Sequence, residues 1–358
     1  MLNIRIIYIC CLILTFASCK MKDEITCYGG SDSDLVQLLE KEGYTLKFYP
    51  SVSEALQNAP EKSGVLLLSD SYPVKGTSIS QEDESLIEAK SLRVLVEFPQ
   101  RIGTTDSSKS DTLNLERIVV CDSINTELPF MSLLSFNRCI LKETSDSINH
   151  PILVAAKVAG FDKAVYGLKD TETRPVLYYR TPHLLVSTTC ISHFASDRYM
   201  PEQKIKSLYE YIFRWLLSKN TVTFSSWITY ITPSYTPSDV LPENAGYESI
   251  KKGIEWFYNG HFLVNSEWKQ NWVDKYMGDG TMPIGPSIPD QFQNGDGSLG
   301  VLEGHMSEIR YDGSQLYRYW MRADVQGEAS YAFAAAGDLL LSLIPISEPT
   351  RRSYNSYA

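Results

Sequence analysis

Residues 64–98 read GVLLLSDSYPVKGTSISQEDESLIEAKSLRVLVEF, two short apolar runs, Gly64–Ser69 and Arg93–Phe98, on either side of a helical stretch at Gln81–Lys90. Ser80 stands where a helix cap belongs, and Glu82, Asp83 and Glu84 place negative charge beside the positive helix end. Working outward, Thr45–Tyr49, Arg117–Cys121, Ile152–Ala156, Val176–Tyr179 and Leu184–Thr188 read as further strands, and Asp32–Glu42 and Pro201–Leu217 as helices. Pro201 suits a first helical turn, where its missing N–H costs nothing. This alternation from Glu24 to about Ser218 predicts an α/β layer structure.

The chain has 358 residues, 43% of them hydrophobic, enough for a substantial core and for two domains. A net charge of −10 and a pI near 5.1 argue against a nucleic-acid partner or an anionic lipid surface. Past the amino-terminal segment the cysteines are Cys27, Cys121, Cys139 and Cys190, with no CxxC and no clustering with histidine, so neither a metal nor a cofactor is expected. Their spacing shows no disulfide.

Met1–Ser18 has one early cation, Arg5, an apolar run from Ile6 to Phe16 and small residues before Cys19, the layout of a secretion signal. The run is too short to span a bilayer. Phe16-Ala17-Ser18-Cys19 resembles the lipobox of bacterial lipoproteins, which implies a lipidated Cys19, residues 19–23 as a tether, and a membrane partner reached through a lipid anchor. An ordinary cleaved signal with an unmodified cysteine is the alternative. The acidic residues after Cys19 also resemble the surface-export signal of Bacteroidetes lipoproteins, which implies the cell envelope, as an outer-membrane lipoprotein.

Residues 24–218 resemble class I glutamine amidotransferase-like domains that precede some bacterial polysaccharide-degrading modules. The resemblance rests on Val94-Leu95-Val96-Glu97-Phe98-Pro99, on the run from Lys157 to Ala164, on the run from Thr188 to Phe194, and on Arg198-Tyr199-Met200-Pro201. An active member needs a cysteine on a strand-to-helix elbow, activated by histidine and an acid. Pro99-Gln100-Arg101-Ile102-Gly103 stands there instead, so a non-catalytic scaffold or sugar-recognition module is expected. Cys190 and His193, three residues apart, read as packing and turn residues.

Residues 219–246, with Pro233, Pro237 and Pro242 among Trp227, Tyr230 and Tyr235, read as a stiff connector. A helix is expected over Tyr247–Tyr258, with Ile250, Ile254 and Phe257 on one face, Trp256 beside them and Gly260 as its stop. Trp268, Trp272 and Tyr276 repeat at intervals of four and predict a helical aromatic face turned to a core. Met277–Gln293, rich in Gly and Pro, suits the rim of a site.

Chemistry is concentrated in residues 294–337, NGDGSLGVLEGHMSEIRYDGSQLYRYWMRADVQGEASYAFAAAG. Carboxylates in pairs beside aromatic rings are what glycoside hydrolysis requires. Residues 295–304, 312–315 and 322–328 resemble the opening part of six-hairpin (α/α) toroid glycosidases, in Bacteroidetes proteins that join an amidotransferase-like domain to such a barrel. The resemblance implies an α/β plus α architecture, an amidotransferase-like domain followed by the truncated start of an (α/α) toroid over 247–340. It implies Glu303 and Asp324 as acid and base, Arg318 and Arg322 as partners for a substrate carboxylate, and Asp296, His305, Asp312 and Gln315 as ligands of hydroxyls.

Glu328 shares a helix face with Asp324 and is the other candidate partner in the catalytic pair. Both also have a structural reading: Asp324 as the cap of a helix over Val325–Ala336, Glu328 as a charge in its first turn. Asp312-Gly313 is a good hairpin turn between Met306–Arg310 and Gln315–Trp320. His305 alone reads as a hydrogen-bonded fixture. Glu303, between glycines and without a capping role, is the leading candidate.

Leu341–Arg351, LSLIPISEPTR, resembles a translated sequencing adapter, so 341–358 are expected to be an artefactual tail. A closed toroid needs on the order of 200 residues. The sequence therefore reads as a fragment of a lipid-anchored glycoside hydrolase acting on polysaccharide-derived oligosaccharides, those with uronic acids among them, itself expected to be inactive. A glycan-binding or scaffolding lipoprotein and a polysaccharide lyase are the alternatives.

Overall fold

The computed structural model describes residues 23–107, 109–144, 148–198, 202–230, 234–235 and 238–342. Cys19 and the leader before it, and all but the first two residues of the expected tail, lie outside these. The chain divides into two compact units, Met1–Ile231 with Arg310–Asp312, and Thr232–Ile309 with Gly313–Ala358.

The first unit is a nine-stranded mixed sheet with helices. In chain order its elements are β1 (Glu24–Tyr28), α1 (Asp34–Lys41), β2 (Thr45–Phe48), α2 (Val52–Asn58), β3 (Gly64–Leu67), α3 (Gln81–Ala89), β4 (Arg93–Glu97), β5 (Arg117–Val120), β6 (Leu133–Leu134), β7 (Leu153–Ala156), β8 (Thr173–Thr181), β9 (Leu184–Ser187) and α4 (Glu202–Leu216). The strand order is β6-β5-β7-β8-β9-β4-β3-β1-β2. From β9 to β2 neighbours run parallel; from β9 to β6 they run antiparallel.

The parallel half follows from composition. Val65, Leu66 and Leu67 of β3, Val94, Leu95 and Val96 of β4, and Leu185 and Val186 of β9 are fully buried, as strands covered on both faces must be. Each such side chain contributes about 1.5–3 kcal/mol on burial. The helices start where local chemistry allows. Ser33 accepts the Val36 N–H at the head of α1, and Ser80 and Asp83 form a reciprocal capping box on α3. Helix α4 buries Ile205, Leu208, Tyr209, Ile212, Phe213 and Leu216, one stripe at helical spacing.

After β4 the chain passes through Phe98, at φ +47°, into a short strand, Pro99–Ile102, paired with Thr77–Ile79. Aromatic residues of the expected connector belong to this unit. Phe224 and Trp227 are buried, Phe224 with its ring 5.6 Å from Phe213 and Trp227 with its ring 6.0 Å from Tyr209.

The second unit has two long helices, α5 (Ala245–Asn259) and α6 (Ala323–Ser342), and three two-residue strands, β10 (Ile284–Gly285), β11 (Gly304–His305) and β12 (Tyr317–Arg318). The strands form an antiparallel sheet in the order β10-β12-β11. Phe333 of α6 packs on Phe257 and Tyr258 of α5, with ring centres 5.1 and 6.2 Å apart. The core gathers Phe262, Val264, Trp268, Val273, Leu302 and Tyr319.

Two local readings change. Trp268, Trp272 and Tyr276 do not share one regular helix, because a π turn at Lys269–Val273 interrupts it. Trp268 bonds the Gln293 carbonyl and Trp272 the Tyr319 hydroxyl, and these two anchors hold the irregular turn. The hairpin between β11 and β12 closes at Met306 N–H to Leu316 C=O, so a longer connection replaces the tight Asp312-Gly313 turn.

Candidate active site

Glu303 stands at the entrance to β11. Its own N–H bonds the Trp320 carbonyl, and the preceding Leu302 N–H bonds Phe262. Gln326, in the first turns of α6, accepts the Val301 N–H at 2.8 Å and donates back to the Val301 carbonyl at 2.7 Å. The loop that carries Glu303 is thereby tied to the helix that carries Asp324. Gly304, at φ +118°, could not be replaced without strain, and a Cβ there would come within 3.2 Å of the Trp256 ring.

The structure brings four of the candidates together. Arg318 donates to Glu303 Oε1 at 2.8 Å, and Arg322 Nη1 lies 3.7 Å from the same oxygen. Arg322 also holds Asp324 through two donors, at 3.1 and 2.5 Å. The Glu303 side chain is only 15% exposed, and its other oxygen, Oε2, is buried with no hydrogen-bond partner among the described residues. Asp324 is exposed, and Arg322, followed by the Val325 N–H, holds its carboxyl below the usual range. One carboxylate is thus a fixed anion at the surface. The other is largely buried, with one oxygen held by arginine and the other without a partner among the described residues.

The remaining candidates are dispersed. Glu328 is exposed one turn further along α6 and adds to the field on Arg322. Asp296 closes its own turn, accepting from Ser298 N–H and Oγ, which holds its carboxyl low. Gln315 donates to the Met306 carbonyl inside the hairpin. Asp312 groups with the first unit, where it lines a cleft of about 300 Å³ with Asp34, His193, Arg198 and Tyr230. His305 lies among rings, with centres 4.5 Å from Tyr317, 5.1 Å from Phe262 and 5.8 Å from Trp256. Burial lowers its pKa, so the imidazole is neutral at neutral pH.

His305 opens onto a cleft of about 440 Å³ that it lines with Lys252, Glu255, Trp256, Asn259 and Tyr317. Trp256 is 45% exposed there. An aromatic plate with carboxylate, amide and ammonium groups around it can stack on the apolar face of a sugar ring while bonding its hydroxyls. Glu255 and Asn259 were not anticipated from sequence. The signal was legible: Trp256 falls outside the Ile250, Ile254, Phe257 stripe, and a large ring off the core face invites a surface role.

In the first unit the unanticipated residue is Glu97, at the end of β4. It is fully buried and accepts from Ser69 N–H at 2.9 Å, Ser192 N–H at 2.9 Å and Ser192 Oγ at 2.8 Å. Burial pushes its pKa up, against the opposing charge of His193 and these donors. Cys190 is also fully buried, and desolvation raises its thiol well above the ordinary value, so in the folded chain it is no nucleophile.

Among the described residues, no group of three or more His, Cys, Asp or Glu side chains could hold a metal ion, and no helix is long and apolar enough to cross a membrane. No protein-family model matches the chain, and no curated protein sequence matches it. Among solved structures it aligns with Agd3, a carbohydrate deacetylase, at 10% identity and a TM-score of 0.33, over 76% of this chain and 47% of that one. The chain thus spans about half that protein's length, and a likeness this slight assigns neither fold nor function.

Proposed function

We propose that the chain carries the acid and base of a glycoside hydrolase site for uronic-acid-bearing oligosaccharides, with Glu303 as proton donor and Asp324 as base. One observation carries the reading. Glu303 Oε1 faces guanidinium groups that can only donate, whereas the buried Oε2 has no hydrogen-bond partner among the described residues. A substrate carboxylate can take the planar forks of Arg318 and Arg322 through paired hydrogen bonds.

In this reading Glu303 is the general acid. It would protonate the glycosidic oxygen as the bond to the anomeric carbon breaks, while Asp324 takes the proton of the attacking water. Trp256 would provide the stacking surface. The export and lipidation reading of Met1–Cys19 would place this chemistry at the cell envelope, on an exogenous polysaccharide.

The test is release of reducing ends from a panel of uronic-acid oligosaccharides. Glu303→Gln is expected to lose at least about 100-fold in turnover while still binding substrate. Unchanged release by that variant overturns the assignment, and saturable binding without any release supports a glycan-binding protein instead. The neutral His305 in the wall of the cleft favours one other reading, a lyase in which His305 takes the proton next to an arginine-neutralised uronate. Products with the ultraviolet absorbance of a new C=C bond, lost in His305→Ala, would establish it.

A further inference from the structure

Two segments of the first unit lie against each other in antiparallel register. At one end Phe136 and Phe194 stack with ring centres 4.1 Å apart, and at the other the Lys142 N–H bonds the Thr188 carbonyl at 2.9 Å. Between these ends the Tyr72 hydroxyl bridges them, donating to Ile140 C=O at 3.1 Å and lying 3.3 Å from Thr189 Oγ1. Cys139 is next to Ile140 and Cys190 next to Thr189. Both are fully buried thiols, and the two side chains are within hydrogen-bonding contact of each other. The other two cysteines of the described chain sit elsewhere: Cys27 is buried within β1, and Cys121 follows β5 and donates to Val119 C=O.

We propose that Cys139 and Cys190 are a disulfide pair, closed in an oxidising compartment by exchange with a small-molecule disulfide such as oxidised glutathione. The thiolate of one cysteine attacks a glutathione sulfur, releasing one reduced glutathione and leaving a mixed disulfide. The second thiolate then attacks the protein sulfur of that mixed disulfide and releases the other glutathione. The protein gives up two protons and two electrons, and the oxidant gains them as two thiols. Burial of both groups and the raised Cys190 thiol put this exchange before the Phe136–Phe194 seam shuts, while thiolate is accessible. The bond closes a loop from 139 to 190 that contains β7, β8 and β9, and so ties the antiparallel half of the sheet to the start of its parallel half.

The experiment is to refold the full chain in a glutathione redox buffer, alkylate it under denaturing conditions without reductant, and map the peptides by mass. The expected result is one cross-linked peptide pair containing Cys139 and Cys190, two hydrogens lighter than the sum of the free peptides and separated by dithiothreitol. Recovery of both residues in alkylated form, or of either joined to another cysteine, overturns the proposal. The linked protein is expected to melt on the order of 10 °C above the same protein reduced. Cys139→Ala, refolded and mapped in the same way, should abolish both the cross-link and the difference in melting temperature; a difference that persists in this variant counts against the pair.

Discussion

Glu97 and Glu303 place the same side chain in two opposed settings. Glu97 closes a strand at the heart of the first unit, out of contact with water, with three donors on its oxygens. Glu303 opens a two-residue strand in the second unit, with arginines on one oxygen and no partner on the other. A carboxylate whose every bond is internal ties main chain together. One whose bonds are to partly exposed cations can exchange them for a ligand. Burial alone does not distinguish the two acids; the unpartnered oxygen of Glu303 does.

The sharpest way to break this contrast is to remove the buried carboxylate. Glu97→Ala leaves two buried N–H groups without acceptors and is expected to cost about 3–5 kcal/mol, read from urea denaturation. Its pH dependence has a definite sign. The folded-state pKa is raised by burial, so this contribution is complete below the ordinary carboxylate value and is lost as pH rises through the folded value. Wild type should therefore lose more stability than Glu97→Gln as pH is raised across that window. An equal slope for both proteins would show that Glu97 does not titrate in the fold.

Next in size is the aromatic wall. Trp256→Ala should weaken oligosaccharide binding by about tenfold, or about 1.4 kcal/mol, by calorimetry. Because the ring is 45% exposed, the melting temperature should move little. A variant that unfolds instead would make Trp256 a packing residue. The smallest effect is expected at Asp324. Asp324→Asn leaves an exposed ion pair unmade, and the denaturation midpoint should stay where it was, because screened surface pairs contribute little. A clear shift in midpoint would move Asp324 from the chemistry to the scaffold.

The first unit was largely legible because its strands are apolar runs and its helices carry their caps in the sequence. Ser80 caps its helix as read, with Asp83 completing a reciprocal box that the sequence reading did not name, and the β3-α3-β4 stretch folds as read. Strand β1, five residues of mixed polarity, and helix α2, seven residues long, carry too little periodic signal to stand out. In the second unit the legible part was composition. The clustering of Glu303, Asp324, Arg318 and Arg322 follows from a dense segment folding back on itself. The π turn at Lys269–Val273 was hidden because its cause is tertiary: two indole N–H groups finding distant oxygens. Glu97 was hidden for a similar reason, since its donors come from Ser69 and Ser192, far apart in the chain.

Gln326 supplies Val301 with one donor and one acceptor, as a neighbouring peptide group would. A side chain on a helix therefore acts as one residue of a strand that the chain never had to build. A helix turns by about 100° per residue, so inserting or deleting one residue between Arg322 and Gln326 would swing this amide away from Val301. Evolutionary or engineered length changes should therefore be tolerated in the loop 306–316 and rejected in the short span before Gln326, which keeps time between helix and loop.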